Sequence, residues 1–378
     1  MSKREGSGYG RWAARGVVPL LALLLLLGCS SQGPNRVPPD RFNYNEAIAS
    51  SSREQMLLNM LRLRYLEEPS FLAVGSVTTQ YTYEASGEVA ASTTGAGLDL
   101  LRGTAGGVYV ERPTITYTPI VGEDFSHRLM SRVPLEFFFA LGQAGWPTDL
   151  LMQVGLQRIG EVENMSFGPF PTPGDIDRER QFREDLDRLR RFQYVIGLML
   201  ELFEADAIEV QRREEGDRTR RFFVFDSQAR GSVKATMDLF KAELGLDPDM
   251  HEFRITQRYA RRGLNDLTIQ PRSVFAIMSF LARGTEIPAQ HRDEGWVVPM
   301  EVETDDGVGP PPIPFRIRSA AERPASAFAT VQYRGYWFYI DNADIQSKRL
   351  MLLMSILFRL QAPAVKTQAP ILTLPAGP

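Results

Sequence analysis

The sequence predicts an α+β fold, with antiparallel sheets and hairpins against packed helices, preceded by an apolar leader and a long amphipathic β-hairpin. Three observations predict it. Strand-like runs return as hairpins instead of alternating singly with helices, which favours antiparallel sheet. Several segments repeat apolar residues every three or four positions, as helices that bury one side do. One stretch, Val77 to Ser92, alternates over sixteen residues, where a strand averages about 5–6. With 378 residues, 43% hydrophobic and 24% charged, the chain can build a large core and is neither disordered, collagen-like nor polytopic.

The leader comes first. Lys3, Arg4, Arg11 and Arg15 precede an unbroken apolar run, Val17 to Leu27. Eleven residues are too few to span a bilayer, which takes about 20, but they suit the core of a secretory signal. The run ends in Leu26-Leu27-Gly28-Cys29. This resembles the lipobox of bacterial lipoproteins. The resemblance implies cleavage before Cys29 and acylation of its sulfur and its new amine. Cys29 is the chain's only cysteine. Residues 1–28 are thus expected to be a lipoprotein signal peptide, and 29–41 a lipid anchor and Pro/Gly/Ser tether. Ser30 after the cysteine is compatible, in the lipoproteins it resembles, with transfer to the outer membrane, facing the periplasm.

Removal of the leader takes four basic residues and one acidic residue with it. That leaves 39 Lys+Arg against 45 Asp+Glu, a formal charge of −6. An acidic balance weighs against nucleic acid as a partner. It also weighs against electrostatic docking on anionic lipid, so the expected membrane contact is through acyl chains on Cys29, at about 0.8 kcal/mol per buried CH₂.

The elements follow in order. Asn43 to Tyr65 reads as a helix, Asn43 and Glu46 approximating a capping box and Arg62 and Arg64 favouring its C-terminal dipole. Ile48, Gln55, Met56, Leu58, Leu61 and Tyr65 roughly share a face. Val77 to Ser92 and Val108 to Thr118 read as two long strands, with a Gly- and Thr-rich segment, Thr93 to Gly107, between them. Two readings of this hairpin stay open. One has it packed by one face on the body with a free tip. The other has several copies contributing it to a shared barrel, since a membrane strand needs only about 9–11 alternating residues. Leu135 to Gly145 and Thr148 to Glu161 read as short helices. Ser166 to Gly174 is turn-rich and reads as a domain boundary, separating an N-terminal domain, 42–165, from a C-terminal α+β domain, 175–378.

Asp175 to Glu204 reads as one long helix, with Leu186, Leu189, Ile196 and Met199 inward. Ile208 to Arg213 and Arg220 to Asp226 form a hairpin. Lys234 to Leu244 is a helix closed by Gly245. Phe253 to Arg258 and Leu267 to Ile269 are short strands, and Arg272 to Arg283 is a helix stopped by Gly284. Val302 to Pro314 is an acidic loop. Phe315 to Arg318, Phe328 to Tyr333 and Tyr336 to Asp341 read as strands. Ser347 to Leu360 is a helix apolar on nearly every side, and Ile371 to Leu374 a final strand. Ile269 to Arg283 and Ile345 to Arg359 share Ile, Gln, Met, Ser, Leu and Arg in register, a hint of duplication.

No catalytic motif is present: no HExxH, P-loop, GxSxG or Ser-x-x-Lys. No catalytic residue, metal ligand or cofactor is assigned. His127, His251 and His291 are not at ligand spacing. This weighs against an enzyme without excluding one, because catalytic groups can assemble from distant positions. In the aromatic run Tyr336-Trp337-Phe338-Tyr339, alternation sends Trp337 and Tyr339 to one face, where they are candidate binding aromatics.

The segments YNEAIASSSREQMLLNMLRLRY, ERPTITYTPIVGEDF and RGYWFYIDNADIQSKR resemble a group of bacterial outer-membrane-type lipoproteins. That group has no assigned activity, so the resemblance implies a location and no site. The expected function is that of a lipid-anchored cell-envelope protein acting by binding or assembly, as a scaffold or accessory subunit with a protein partner. A homo-oligomeric outer-membrane pore or export component, and a periplasmic enzyme, are the alternatives.

Overall fold

A computed structural model describes residues 33–93, 98–165, 178–216, 218–257, 263, 265–297 and 313–361. The fold is α+β. The chain divides into two units, residues 1–52 and 53–378. The described part of the first is helical.

Helix α1, Gly33–Arg64, starts ten residues before the expected Asn43 and takes in most of the expected tether. Pro34 suits a first turn, whose N–H groups have no intrahelical partner. Pro38 and Pro39 each remove a later donor, so local preference argued against this turn. In the second unit α1 buries Leu57, Met60, Leu61 and Tyr65, which displaces the expected Leu58 from the inner stripe.

Strands β1, Phe71–Thr93, and β2, Leu98–Ile120, pair antiparallel along their whole length. The Gly- and Thr-rich segment therefore belongs largely to β2 and is not a separate connection. Gly103, Gly106 and Gly107 stand opposite Val89, Ser86 and Ala85, so a partner strand compensates the poor strand preference of glycine. A bulge at Gly75 shifts the register.

After two helical turns, Gly122–Phe125 and Ser126–Met130, come α2, Leu135–Gln143, and α3, Thr148–Gly155. The expected helix to Glu161 ends at Gly155, where a Cβ would lie 2.1 Å from the buried Phe138 ring. The chain continues as β3, Leu156–Ile159, and β4, Val162–Glu163. Beyond α4, Arg178–Glu204, lie β5, Ile208–Glu215, β6, Arg218–Phe225, α5, Gly231–Glu243, β7, Glu252–Thr256, and β8, Asp266–Pro271. Strands β3 to β8 form one sheet in the order β4-β3-β8-β7-β6-β5, antiparallel except for the parallel β7–β8 pair.

This sheet corrects the expected division at 166–174. Strands from both sides of that segment share one ladder, with Leu156 opposite Pro271 and Ile159 opposite Ile269. The Pro/Gly-rich stretch itself lies outside the described residues. Phe203 on α4 and Phe240 on α5 pack with Phe223 on β6, and Phe225 packs with Phe253. These rings join both helices to the sheet.

Arg272 follows β8 and is fully enclosed. It donates to the carbonyls of Gln153 and Val154, at the C-terminus of α3, and to that of Met165. A cation at a helix C-terminus is favoured by the dipole. Burial, and then Arg283 nearby, draw its pKa well below the ordinary arginine value.

Helix α6, Val274–Ala282, is capped by Ser273, and a short helix α7, Ala289–Asp293, follows. Strands β9, Arg318–Ala320, β10, Ala327–Tyr333, and β11, Tyr336–Asp341, form a second sheet in the order β10-β11-β9. Helix α8, Ile345–Leu360, is capped by Asp344, whose carboxylate accepts from the Ser347 N–H and hydroxyl. Leu350, Met351, Leu353, Met354 and Leu357 are buried, but Leu352 is exposed, so α8 has one wet side after all. The suggested duplication is matched in its second half, where residues 274–282 and 350–358 are both helical, and not at its entry. Ile269 and Gln270 lie in a strand, whereas Ile345 and Gln346 lie in a helix. The expected strand Ile371 to Leu374 and most of the acidic loop lie outside the described residues.

Candidate functional site

The root of the hairpin is built by α1. Ser70 leads into β1, which Phe71 and Leu72 begin beside that helix. The Asn59 side chain donates to the Ser70 carbonyl and accepts from the Ser70 N–H, both at 2.8 Å. One turn earlier, with its amide oriented to satisfy both groups, Gln55 accepts from the Leu72 N–H at 3.2 Å and donates to its carbonyl at 3.3 Å. Two side chains spaced i,i+4 thus share one helix face and act as a surrogate strand along the first turn of β1. Phe71 is buried and stacks on Phe358 of α8, with ring centroids 4.7 Å apart.

Beyond the root the ribbon has no third strand among the described residues, and β1 and β2 make up the whole of their sheet. Every residue from Pro113 to Pro119 is exposed. Ile115 and Tyr117 stand at 39% and 55% exposure. This stretch of β2 is therefore wet on both faces, whereas Phe71 and Ile120 at the root are buried. A two-stranded ribbon is marginally stable alone in water. Two free edges also present N–H and C=O groups for further pairing.

A second constellation locks the end of α1. Tyr65 and His291 are buried, and the Tyr65 hydroxyl lies 2.6 Å from His291 Nδ1. His291 Nε2 lies 3.1 Å from the Arg334 carbonyl. A carbonyl can only accept, so Nε2 carries the proton and donates. Nδ1 then accepts, and the Tyr65 hydroxyl donates to it. Burial lowers the His291 pKa, and Arg334 lowers it further against its own carbonyl contact. Burial pushes the Tyr65 hydroxyl up to about 12. Both groups are neutral at pH 7, with each hydrogen-bonding role filled.

Arg334 closes the cluster. It opens the two-residue turn between β10 and β11 with φ of +48°, and Gly335 follows at +88°. Positive φ is costly for a side chain with a Cβ. Its carbonyl is held by His291, and its guanidinium lies over the rings of Tyr65, Trp296 and Tyr333 and binds Glu67 at 2.6 Å. Burial raises the Glu67 pKa, but hydrogen bonds from Arg334 and Tyr333 and the Arg334 charge bring it below the usual carboxylate value. Four segments, the end of α1, α7, the turn at Trp296 and the β10–β11 turn, are clasped together in this way. The clasp holds the end of the helix that carries Gln55 and Asn59.

Trp337 and Tyr339 share the outer face of β11, both half-buried, while Phe338 and Ile340 are buried on the other. Arg323 lies over the Trp337 ring, 5.2 Å from its centroid. Cys29, Leu26, Leu27 and Gly28 lie outside the described residues. The structure brings Trp337 and Tyr339 together as the alternation predicts, and does not join them to the hairpin root or to the His291 clasp through any described contact. Among the described residues no helix is long and apolar enough to cross a membrane, and no three His, Cys, Asp or Glu residues converge for a metal.

Comparison of the chain with protein-family models, curated proteins and solved structures finds no match.

Proposed function

We propose that this protein is a lipid-anchored component of the bacterial cell envelope that works by assembly, with the β1–β2 hairpin as its assembly element. One observation carries this reading: two strands of 23 residues each form a sheet with no further strand among the described residues. At about 3.3 Å per residue, such a ribbon is about 76 Å long. Its edges offer backbone groups to an added strand along that length, and main-chain pairing is a general mode of protein association. The root supports the same role. Asn59, Gln55 and the His291 clasp fix where the ribbon starts, so a strand added beyond them meets a rigidly based edge. The lipobox supports the location. Acyl chains on Cys29 hold the body at the membrane, and Ser30 favours the outer membrane with the body in the periplasm.

A shortened hairpin tests this. Thr82 faces Val110 in the register, so residues 82–110 can be replaced by Asn-Gly, which turns tightly between paired strands. After chemical crosslinking in cells, the native chain is expected in a high-mass species and the shortened chain is not, while both stay in the membrane fraction. Equal crosslinking of the two would defeat the assembly role. A Cys29→Ser chain that still took up labelled fatty acid would defeat the anchor.

A further inference from the structure

The hairpin's own charge pattern identifies its partner. Residues directly paired across an antiparallel ladder share a face. On the first face the pairs run Tyr83↔Tyr109, Ala85↔Gly107, Gly87↔Ala105, Val89↔Gly103 and Ala91↔Leu101. None is charged. On the second face the interleaved pairs run Glu84↔Val108, Ser86↔Gly106, Glu88↔Thr104 and Ala90↔Arg102. Every charge between Tyr83 and Ala91, and between Leu101 and Tyr109, therefore falls on one side of the ribbon.

The length of the uncharged face is informative. Tyr83 to Ala91 is nine residues, about 30 Å of strand at about 3.3 Å each. Tilted by about 40°, that covers about 23 Å of depth, close to the apolar band of about 25 Å on a membrane barrel. Tyr81, Tyr83 and Tyr109 mark one end of the band, where aromatic side chains settle at the lipid–water boundary. Charges return on that face at Glu111, opposite Tyr81.

A single hairpin cannot occupy that position. Both edges would carry unpaired backbone groups into hydrocarbon, at several kcal/mol for each group. Only closure removes the edges. The charges indicate what closes the ring. Within the band and its margin toward the root, the second face of β1 carries only acids, Glu84 and Glu88, and that of β2 carries only bases, Arg102 and Arg112, while Asp99 beyond the other end stands at a register shift. When the β1 edge of one copy meets the β2 edge of the next, acids stand beside bases in antiparallel order. Pairing β1 with β1 or β2 with β2 would juxtapose like charges.

We propose that the occupant of these edges is a second copy of this chain, and that copies joined head to tail close into one transmembrane β-barrel, the 83–91 and 101–109 segments crossing the bilayer. The face with Glu84, Glu88 and Arg102 turns to the interior of the barrel, and the face with Ala85, Val89 and Leu101 to lipid. This rests on the assembly reading and adds the partner and the membrane. Each copy supplies two strands, so the count is even, and the smallest barrels of this kind, at eight strands, need four copies.

The test uses the full-length lipidated protein in phosphatidylethanolamine/phosphatidylglycerol vesicles. Cys29 is acylated, so a cysteine introduced singly at each position from Glu84 to Ala91 is the sole free thiol. Each is labelled with an environment-sensitive fluorophore and challenged with doxyl-labelled lipid, and the detergent-extracted protein is weighed by native mass spectrometry. Quenching at positions 85, 87, 89 and 91 but not at 84, 86, 88 and 90, in a multimer of four or more copies, is the expected result. A multimer without this alternation would overturn the barrel and leave assembly standing. A monomer would overturn both. A Glu84→Arg/Glu88→Arg chain is expected to lose the multimer and to regain it when Arg102→Glu/Arg112→Glu are added. Unchanged assembly in the first variant would overturn the acid-to-base pairing of copies. Circular dichroism of each variant checks that the body stays folded.

Discussion

Replacing Asn59 by alanine tests how firmly the hairpin is rooted. The Asn59 amide is fully buried and makes two hydrogen bonds of 2.8 Å with the backbone of Ser70. Each such bond contributes about 1 kcal/mol net. Truncation also leaves a small void, while alanine returns up to about 0.7 kcal/mol of helix preference. Ser70 is exposed, so water can reach the freed groups and the full cost of buried, unsatisfied atoms is not incurred. The sum is a loss of about 2 kcal/mol. Urea titration of the detergent-extracted protein, followed by the tryptophan fluorescence of Trp146, Trp296 and Trp337, measures it. Amide hydrogen exchange over Ser70 to Val74 should accelerate by more than the rest of the sheet. A loss under about 0.5 kcal/mol, with exchange unchanged, would show that Asn59 does not fix the strand.

Three further outcomes are expected. Gly284→Ala places a Cβ 1.8 Å from the Phe315 carbonyl oxygen, where Gly284 and Ile317 are bonded backbone to backbone. A loss of more than about 3 kcal/mol in the same titration is expected, and a neutral substitution would contradict the close approach. Arg272→Met strips donors from three carbonyls in the interior and should cost about 3 kcal/mol or more, with Arg272→Lys intermediate. Acidification should loosen the clasp. His291, faced by Tyr65, Tyr336, Glu294 and Arg334, has its pKa lowered in the fold. Its contribution is therefore present above the unfolded value of about 6.5 and is lost as pH falls through the folded one, at no more than about 1.4 kcal/mol per pH unit. Urea midpoints between pH 7.5 and 5.0 should fall in the native chain and flatten in His291→Gln. Glu67 adds a second loss below pH 4.5, since its pKa is also lowered in the fold.

The sequence carried the local half of this architecture. Period-two alternation found the ribbon and the outer pair Trp337 and Tyr339, and 3–4 spacing found the longer helices, though α1 starts ten residues earlier than expected and α3 stops six residues sooner. What it could not carry was pairing between distant segments. Leu156 and Ile159 are three apart and fit a helix as well as a strand. They form a strand because β8, more than a hundred residues later, offers a ladder. The Pro/Gly-rich segment after Met165 has the composition of a linker, and only that same pairing shows one sheet across it. Nothing in the sequence marks Asn59 as the partner of Ser70, eleven residues later. Tyr65, His291 and Arg334 are spread over most of the chain, and Glu67 reads as an ordinary surface acid until Arg334 reaches it. In the ribbon the register added what alternation alone lacked. It shows which residue of β2 shares a face with which residue of β1, and so which side carries the charge.

Native mass spectrometry of the protein extracted with detergent from the cells that make it weighs the central claim most directly. Chains anchored at Cys29 and joined through their hairpins would appear as a closed multimer of at least four copies, each beginning at an acylated cysteine. A single chain, or one with an intact and unmodified Met1, would contradict it.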